Sequence, residues 1–149
     1  MDLDLRGKHA LVCGASEGIG RATAGELASL GARVTLLARR EEALRAALAD
    51  LPTPHGQAHG IVAADVAQGD ALGRAVAALA ADAPVHILVN NTGGPPGGPA
   101  HAAGIDAYRD AFNKHLVANQ RLLQAVLPAL RAAGWGRIVN VISTSVYEP

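Results

Sequence analysis

The segment Gly14-Ala15-Ser16-Glu17-Gly18-Ile19-Gly20 sets three glycines at a spacing suited to phosphate chemistry. Without a Cβ, glycine lets a backbone turn tightly and bring its N–H groups against an anion. A helix starting at such a turn presents unpaired first-turn N–H groups and the positive end of its dipole to the same anion. Gly14 suits the tight turn, Gly18 the approach of main chain to a pyrophosphate, and Gly20 the close packing of helix on strand. Ser16, Glu17 and Ile19 share the turn and count with it as contact residues. Further along, Arg39-Arg40 offers planar guanidinium forks that match a phosphate. Asp65-Val66, Asn90-Asn91-Thr92-Gly93 and Ser143 each follow a short apolar run. Every one of these has a plainer role open to it. Asp65 can cap a turn, the asparagines can satisfy strand-end backbone, Arg39 or Arg40 can pair with Glu41 or Glu42, and Ser143 can be a surface hydroxyl.

The elements that must position these residues follow from hydrophobic periodicity. Residues 8–13 form an apolar run ending at Gly14, and 19–30 carry apolar residues at helical spacing up to Gly31, a suitable residue just past a helix end. Residues 33–38 have strand composition and 41–50 helix composition. Pro52 and Pro54 close that helix, 57–63 read as a third strand, and 70–82 as an alanine-rich helix. A buried strand at 85–89 leads into a Gly/Pro loop at 92–99. A long helical pattern at 105–133, kinked or close to its end at Pro128, passes through Gly134 to a strand at 137–142. Five strands alternating with helices predict an α/β fold, the N-terminal five-stranded portion of a Rossmann-type doubly wound parallel sheet with helices on both faces. In such a sheet the glycine turn lies at the carboxyl edge of the first strand, where ligands sit. The expectation is a single dinucleotide-binding domain over 1–149, incomplete at its C-terminus because only 143–149 follow the fifth strand.

Taken in order, these motifs resemble the short-chain dehydrogenase/reductase superfamily, close to its 3-oxoacyl-(acyl-carrier-protein) reductase type. Gly14-x-x-x-Gly18-x-Gly20 resembles that family's cofactor loop, and Asp65-Val66 its adenine-contacting pair. Leu88-Val89-Asn90-Asn91-Thr92-Gly93 resembles its Leu-Val-Asn-Asn-Ala-Gly motif. Trp135-Gly136-Arg137-Ile138-Val139-Asn140-Val141-Ile142-Ser143 is similar to its fifth strand with the active-site serine. The resemblance implies the spatial strand order third, second, first, fourth, fifth, an NAD(P) cofactor, and Ser143 as a catalytic residue acting on a small carbonyl or alcohol. An acidic residue at the end of the second strand would accept a hydrogen bond from a ribose 2′-hydroxyl, whereas arginine accommodates a 2′-phosphate. Arg39-Arg40 therefore argues for NADP over NAD.

The departures from that family matter as much. Cys13 stands where the family has threonine and is expected to be buried and inert. Gly94-Pro95-Pro96-Gly97-Gly98-Pro99 extends the loop and reshapes the wall beside the nicotinamide. His115 falls where the family has a catalytic asparagine, and there it either holds a water or simply faces solvent. The family's Tyr-x-x-x-Lys motif, whose tyrosine is the proton donor, has no counterpart: only Glu148-Pro149 follows Tyr147, and Phe112 stands four residues after Tyr108. The 149 residues alone are expected to bind cofactor without turning substrate over.

Composition removes other classes. Thirteen basic and thirteen acidic residues cancel, which leaves no net field for nucleic acid or an anionic membrane. No apolar stretch reaches the roughly 20 residues of a spanning helix. One cysteine, and an N-terminus without the basic and apolar regions of a signal peptide, fit a cytoplasmic protein. The histidines show no metal-ligand spacing with Cys, Asp or Glu. The main alternative is a non-catalytic dinucleotide-binding or interaction module, which the missing Tyr-x-x-x-Lys favours. A methyltransferase using S-adenosylmethionine fits less well, because it also favours an acidic residue where Arg39-Arg40 stands. Helix 105–133 is the expected surface for homo-oligomers.

Overall fold

A computed structural model describes residues 3–94 and 97–143, in which strands and helices alternate along the chain. The elements are β1 (His9–Cys13), α1 (Gly18–Ser29), β2 (Arg33–Ala38), α2 (Glu41–Ala49), β3 (Gly60–Ala63) and α3 (Gly69–Asp82). They continue with β4 (Ile87–Asn90), a 3₁₀ turn (Ala100–Ala102), α4 (Ile105–Phe112), a π-helical segment (Asn113–Val117), α5 (Ala118–Ala132) and β5 (Arg137–Asn140). The strands form one parallel sheet in the order β3-β2-β1-β4-β5, as expected.

Burial explains why β1 is the axis of this sheet. All five of its residues are buried, and their alternation feeds two cores. Ala10 and Val12 pack with Ala24, Ala28, Val34, Leu36 and Leu44 on the α1/α2 face. Leu11 and Cys13 pack with Leu72, Val76, Leu88, Leu122 and Val126 on the α3/α5 face. Each fully buried Leu or Val contributes roughly 1.5–3 kcal/mol of transfer free energy. Burial also pushes the Cys13 thiol up to about 12, against a smaller lowering by a backbone hydrogen bond from Asn91, so it stays protonated and inert.

The strands differ from expectation at their ends. The third strand starts at Gly60 and not at 57, because the residues before it are tied by their side chains. The Val34 N–H donates to His59 Nδ1 at 3.0 Å, and Gln57 Nε2 donates to the Ala28 carbonyl at 2.7 Å. The fourth strand runs over Ile87–Asn90 in place of 85–89, with the His9 N–H donating to His86 Nδ1 at 3.2 Å just before it. His9 itself is buried, its Nε2 2.8 Å from Thr35 Oγ1 and its Nδ1 3.2 Å from the Ala83 carbonyl, and burial lowers its pKa. The fifth strand ends at Asn140 and not at 142, although the Val141 N–H still donates to the Asn90 carbonyl at 2.9 Å. The long helical pattern is broken into α4 and α5 by the π segment, a distortion that recurs at functional sites. Pro128 is carried inside α5, where it removes the backbone hydrogen bond to the Gln124 carbonyl.

Unlike β1, all four residues of β5 are exposed, Ile138 by 42% and Val139 by 48%. The turn before it is held by Trp135, which packs on the α1-side core with Lys8 Nζ 4.6 Å and the Arg137 guanidinium 4.8 Å from its ring centre. Among the described residues no helix is long and apolar enough to cross a membrane.

Candidate functional site

The residues with chemistry collect at the carboxyl edge of the sheet, around the turn that joins β1 to α1. Gly14 (φ +60°) and Gly18 (φ +56°) are left-handed, a conformation that favours glycine. A Cβ on Gly14 would strike the Asn91 backbone carbonyl, and one on Gly20 would strike the Gly14 carbonyl and the Asn91 amide. Those glycines are thus required by packing of the helix on the strand ends. A Cβ on Gly18 would meet nothing within 4 Å, so open space lies over that position. No side chain caps the start of α1 and no acidic residue sits in its first turn. The helix end therefore keeps N–H groups and positive potential facing that space. Asn91 braces the turn from the next strand, its Nδ2 donating to the Cys13 carbonyl at 3.4 Å.

Beside the turn is a cavity of about 270 Å³, lined by Gly14, Ser16, Glu17, Arg39, Arg40, Val66, Asn91, Thr92 and Gly93 together with Leu37, Ala38 and Ala64. Nine of the residues singled out in the sequence therefore meet on one wall, brought there by the ends of β1, β2, β3 and β4. Gly18 and Ile19 lie exposed beside it, Ile19 by 63%, and Gly20 is buried beneath the turn. Asp65 is not in the wall: its carboxylate accepts the Ala67 N–H at 2.9 Å, the turn-capping role open to it from sequence. Arg40 pairs with Glu17 (Nη2 to Oε2, 3.1 Å), not with Glu41 or Glu42, while Glu41 pairs with Arg45.

A larger cavity, about 700 Å³, opens on the other side of Thr92, and its walls include Asn90, His115, Asn119, Asn140 and Ser143. Ser143 is exposed there at the end of the β5 segment. Asn90 is buried, and its Nδ2 donates to Asn140 Oδ1 at 2.8 Å across the β4–β5 pair. His115 does not face solvent. Its Nδ1 lies 2.6 Å from Thr92 Oγ1, and its Nε2 is buried without a partner among the described residues, as is Asn119 Oδ1 one turn along. Nothing in the local residue pattern signals the Thr92–His115 link, because it spans 23 residues and His115 lies in the π segment. The Asn90–Asn140 pair had a signal in hindsight, since the two are the last residues of adjacent strands. Tyr147, and Pro95 and Pro96 of the Gly/Pro loop, lie outside the described residues. No cluster of three or more metal-ligating side chains exists among the described residues.

A family model for short chain dehydrogenases matches residues 8–149. The chain belongs to the short-chain dehydrogenase family. Inactive hydroxysteroid dehydrogenase-like protein 1 of Pongo abelii is 33% identical over 145 residues, covering 96% of this chain and 44% of its own. The crystal structure of 3-oxoacyl (acyl-carrier-protein) reductase from Agrobacterium tumefaciens C58 with NADP bound superposes with a TM-score of 0.90 at 30% identity, over 99% of this chain and 57% of that one. L-sorbose reductase from Gluconobacter frateurii, complexed with NADPH and L-sorbose, does so with a TM-score of 0.91 at 31% identity, over 100% and 57%. This short-chain dehydrogenase chain thus spans about half the length of the relatives it matches. It corresponds to their Rossmann-like, NAD(P)-binding portion.

Proposed function

We propose that this chain is the cofactor-binding portion of an NADP-dependent short-chain oxidoreductase that interconverts a small carbonyl and its alcohol. The observation that carries the reading is the convergence of the glycine turn, Arg39 and Arg40 on one cavity at the carboxyl edge of β1 and β2. The residues fit a dinucleotide: a helix end with no side-chain cap, open space over Gly18, and cationic side chains at the far end of the cavity. When bound, the nicotinamide supplies the hydride. The backbone of residues 14–20 holds the pyrophosphate, Arg39 and Arg40 hold the 2′-phosphate, and Val66 packs beside the adenine. Asn91 keeps the turn and β4 together. Thr92 stands between the two cavities, so a ring passing it would reach Ser143, whose hydroxyl can hydrogen-bond a carbonyl oxygen. The relatives solved with NADP or NADPH bound, and in one case with a sugar ketone, support both cofactor and substrate class. The free, buried Cys13 suits a reducing, cytoplasmic setting. The exposed stripe of Ile105, Tyr108, Phe112 and Leu116 along α4 and the π segment suits self-association.

A second reading, a non-catalytic dinucleotide-binding module, has its own support. The Pongo abelii relative is named inactive. Ser143 can orient a carbonyl, but the alkoxide product still needs a proton donor, and general acid catalysis is worth roughly 10²–10⁴-fold. Calorimetric titration with NADPH and NADH tests binding, and NADPH oxidation with a 3-oxoacyl substrate tests turnover. The expected result is NADPH binding tighter than NADH with no steady oxidation by these 149 residues. Equal affinities would refute the cofactor assignment, and steady oxidation abolished by Ser143→Ala would refute the missing proton donor.

A further inference from the structure

Arg39 and Arg40 line the same cavity but differ in electrostatic state. Arg40 is held by Glu17 at 3.1 Å, whereas Arg39 has no ion pair among the described residues. Glu17 is the residue immediately before α1, and its side chain does not cap that helix. Its carboxylate instead crosses from the glycine turn to the end of β2 and sits among the groups that face an incoming anion. A carboxylate so placed acts twice against a phosphate dianion, by like-charge repulsion and by competing for the Arg40 guanidinium. Toward a neutral ribose 2′-hydroxyl it does neither, and it can accept that hydroxyl's proton in a hydrogen bond.

We infer that Glu17 is a specificity-determining residue that holds Arg40 away from the 2′-phosphate and so reduces the preference for NADPH over NADH, leaving Arg39 as the principal phosphate-binding arginine. This rests on the reading of the cavity as the adenosine end of a dinucleotide site. Both partners of the pair are well exposed, Arg40 by 65% and Glu17 by 79%, so the pair is weak and exchange of Arg40 from carboxylate to phosphate is easy. The effect is several-fold and not of many orders.

The test is calorimetric titration of the chain with NADPH, NADH and adenosine 2′,5′-bisphosphate, before and after Glu17→Gln, Arg39→Ala, Arg40→Ala and the pair Glu17→Gln/Arg40→Ala. Glu17→Gln is expected to raise the NADPH-to-NADH affinity ratio by roughly three- to tenfold and to strengthen the bisphosphate in parallel. Arg39→Ala is expected to lower NADPH affinity more than Arg40→Ala does, and Arg40→Ala to cost more once Glu17 is neutral than before. An unchanged or lowered ratio in Glu17→Gln, or an Arg40→Ala cost that ignores residue 17, overturns the inference while leaving the dinucleotide site standing. Absence of binding by either dinucleotide to the unsubstituted chain overturns the site itself, and the inference with it.

Discussion

The two cavities share Thr92 but stand on walls of opposite character. The glycine-turn side is founded on β1, whose residues are all buried, and on β2, buried through Val34, Thr35, Leu36 and Leu37. The Ser143 side is founded on β5, all of whose residues are exposed, and on a strand end at Val141 and Ile142 exposed by 38% and 67%. The glycine-turn cavity sits on a sealed, two-faced core and is held in place by packing that this chain supplies itself. The β5 wall has backbone pairing to β4 but little burial, so its geometry rests on hydrogen bonds such as Asn90 to Asn140 and Thr92 to His115. In this molecule the glycine-turn cavity is built on the core, and the Ser143 cavity is not.

The sharpest way to break that contrast is to truncate a side chain on each side. Leu36→Ala, at a fully buried position, is expected to cost about 2–5 kcal/mol in urea denaturation, while Val139→Ala in β5 costs under ~1 kcal/mol. Equal costs would mean that β5 is as well packed as β2. Next in size, changing Arg39 and Arg40 together to Ala is expected to remove most of the NADPH preference, because charge-assisted contacts of about 1.5–3 kcal/mol go with them. The same double change should leave urea stability within ~0.5 kcal/mol, both side chains being exposed. A large stability loss would place the arginines in the fold and not in the site.

A smaller effect tests the opposite, amino end of the sheet. Burial lowers the pKa of His9 and of His86 below the ordinary histidine value of 6.5, so the folded chain holds fewer protons than the unfolded one as pH falls through that value. Their contribution is present in full above the unfolded value and is lost progressively below it. Urea stability is expected to fall between about pH 7.5 and about pH 5.5, with a shallower fall in His86→Gln. A rise in stability on acidification would contradict the burial of these rings as neutral groups.

Much of the glycine-turn wall was legible because it depends on local sequence. Glycines at the end of an apolar run, followed by helical spacing, demand a strand, a turn and a helix in that order, and the structure has them at β1, Gly14 to Gly20 and α1. The helix stop at Gly31, with φ +95°, was legible for the same reason. The side-chain pairs between elements were not. Glu17 and Arg40 meet only because β1 and β2 are adjacent and end at the same level, and nothing in either residue's neighbourhood distinguishes Glu17 from Glu41 as the partner of Arg40. The third strand was legible but not its start, because at 57–59 the side chains of Gln57 and His59 take hydrogen bonds with backbone groups of the region. The π segment was hidden as well, since its sequence has ordinary helical spacing and only tertiary packing reveals the extra residue.

Following backbone amide resonances during titration with NADPH tests whether the glycine turn and the arginines at the end of β2 form the dinucleotide site. The largest shifts are expected on residues 16–20, Arg39 and Arg40, with smaller ones at residues 91–93 and little change along β5. Shifts concentrated on β5 and α4, or an NADPH titration that leaves residues 14–20 unmoved, would contradict that assignment.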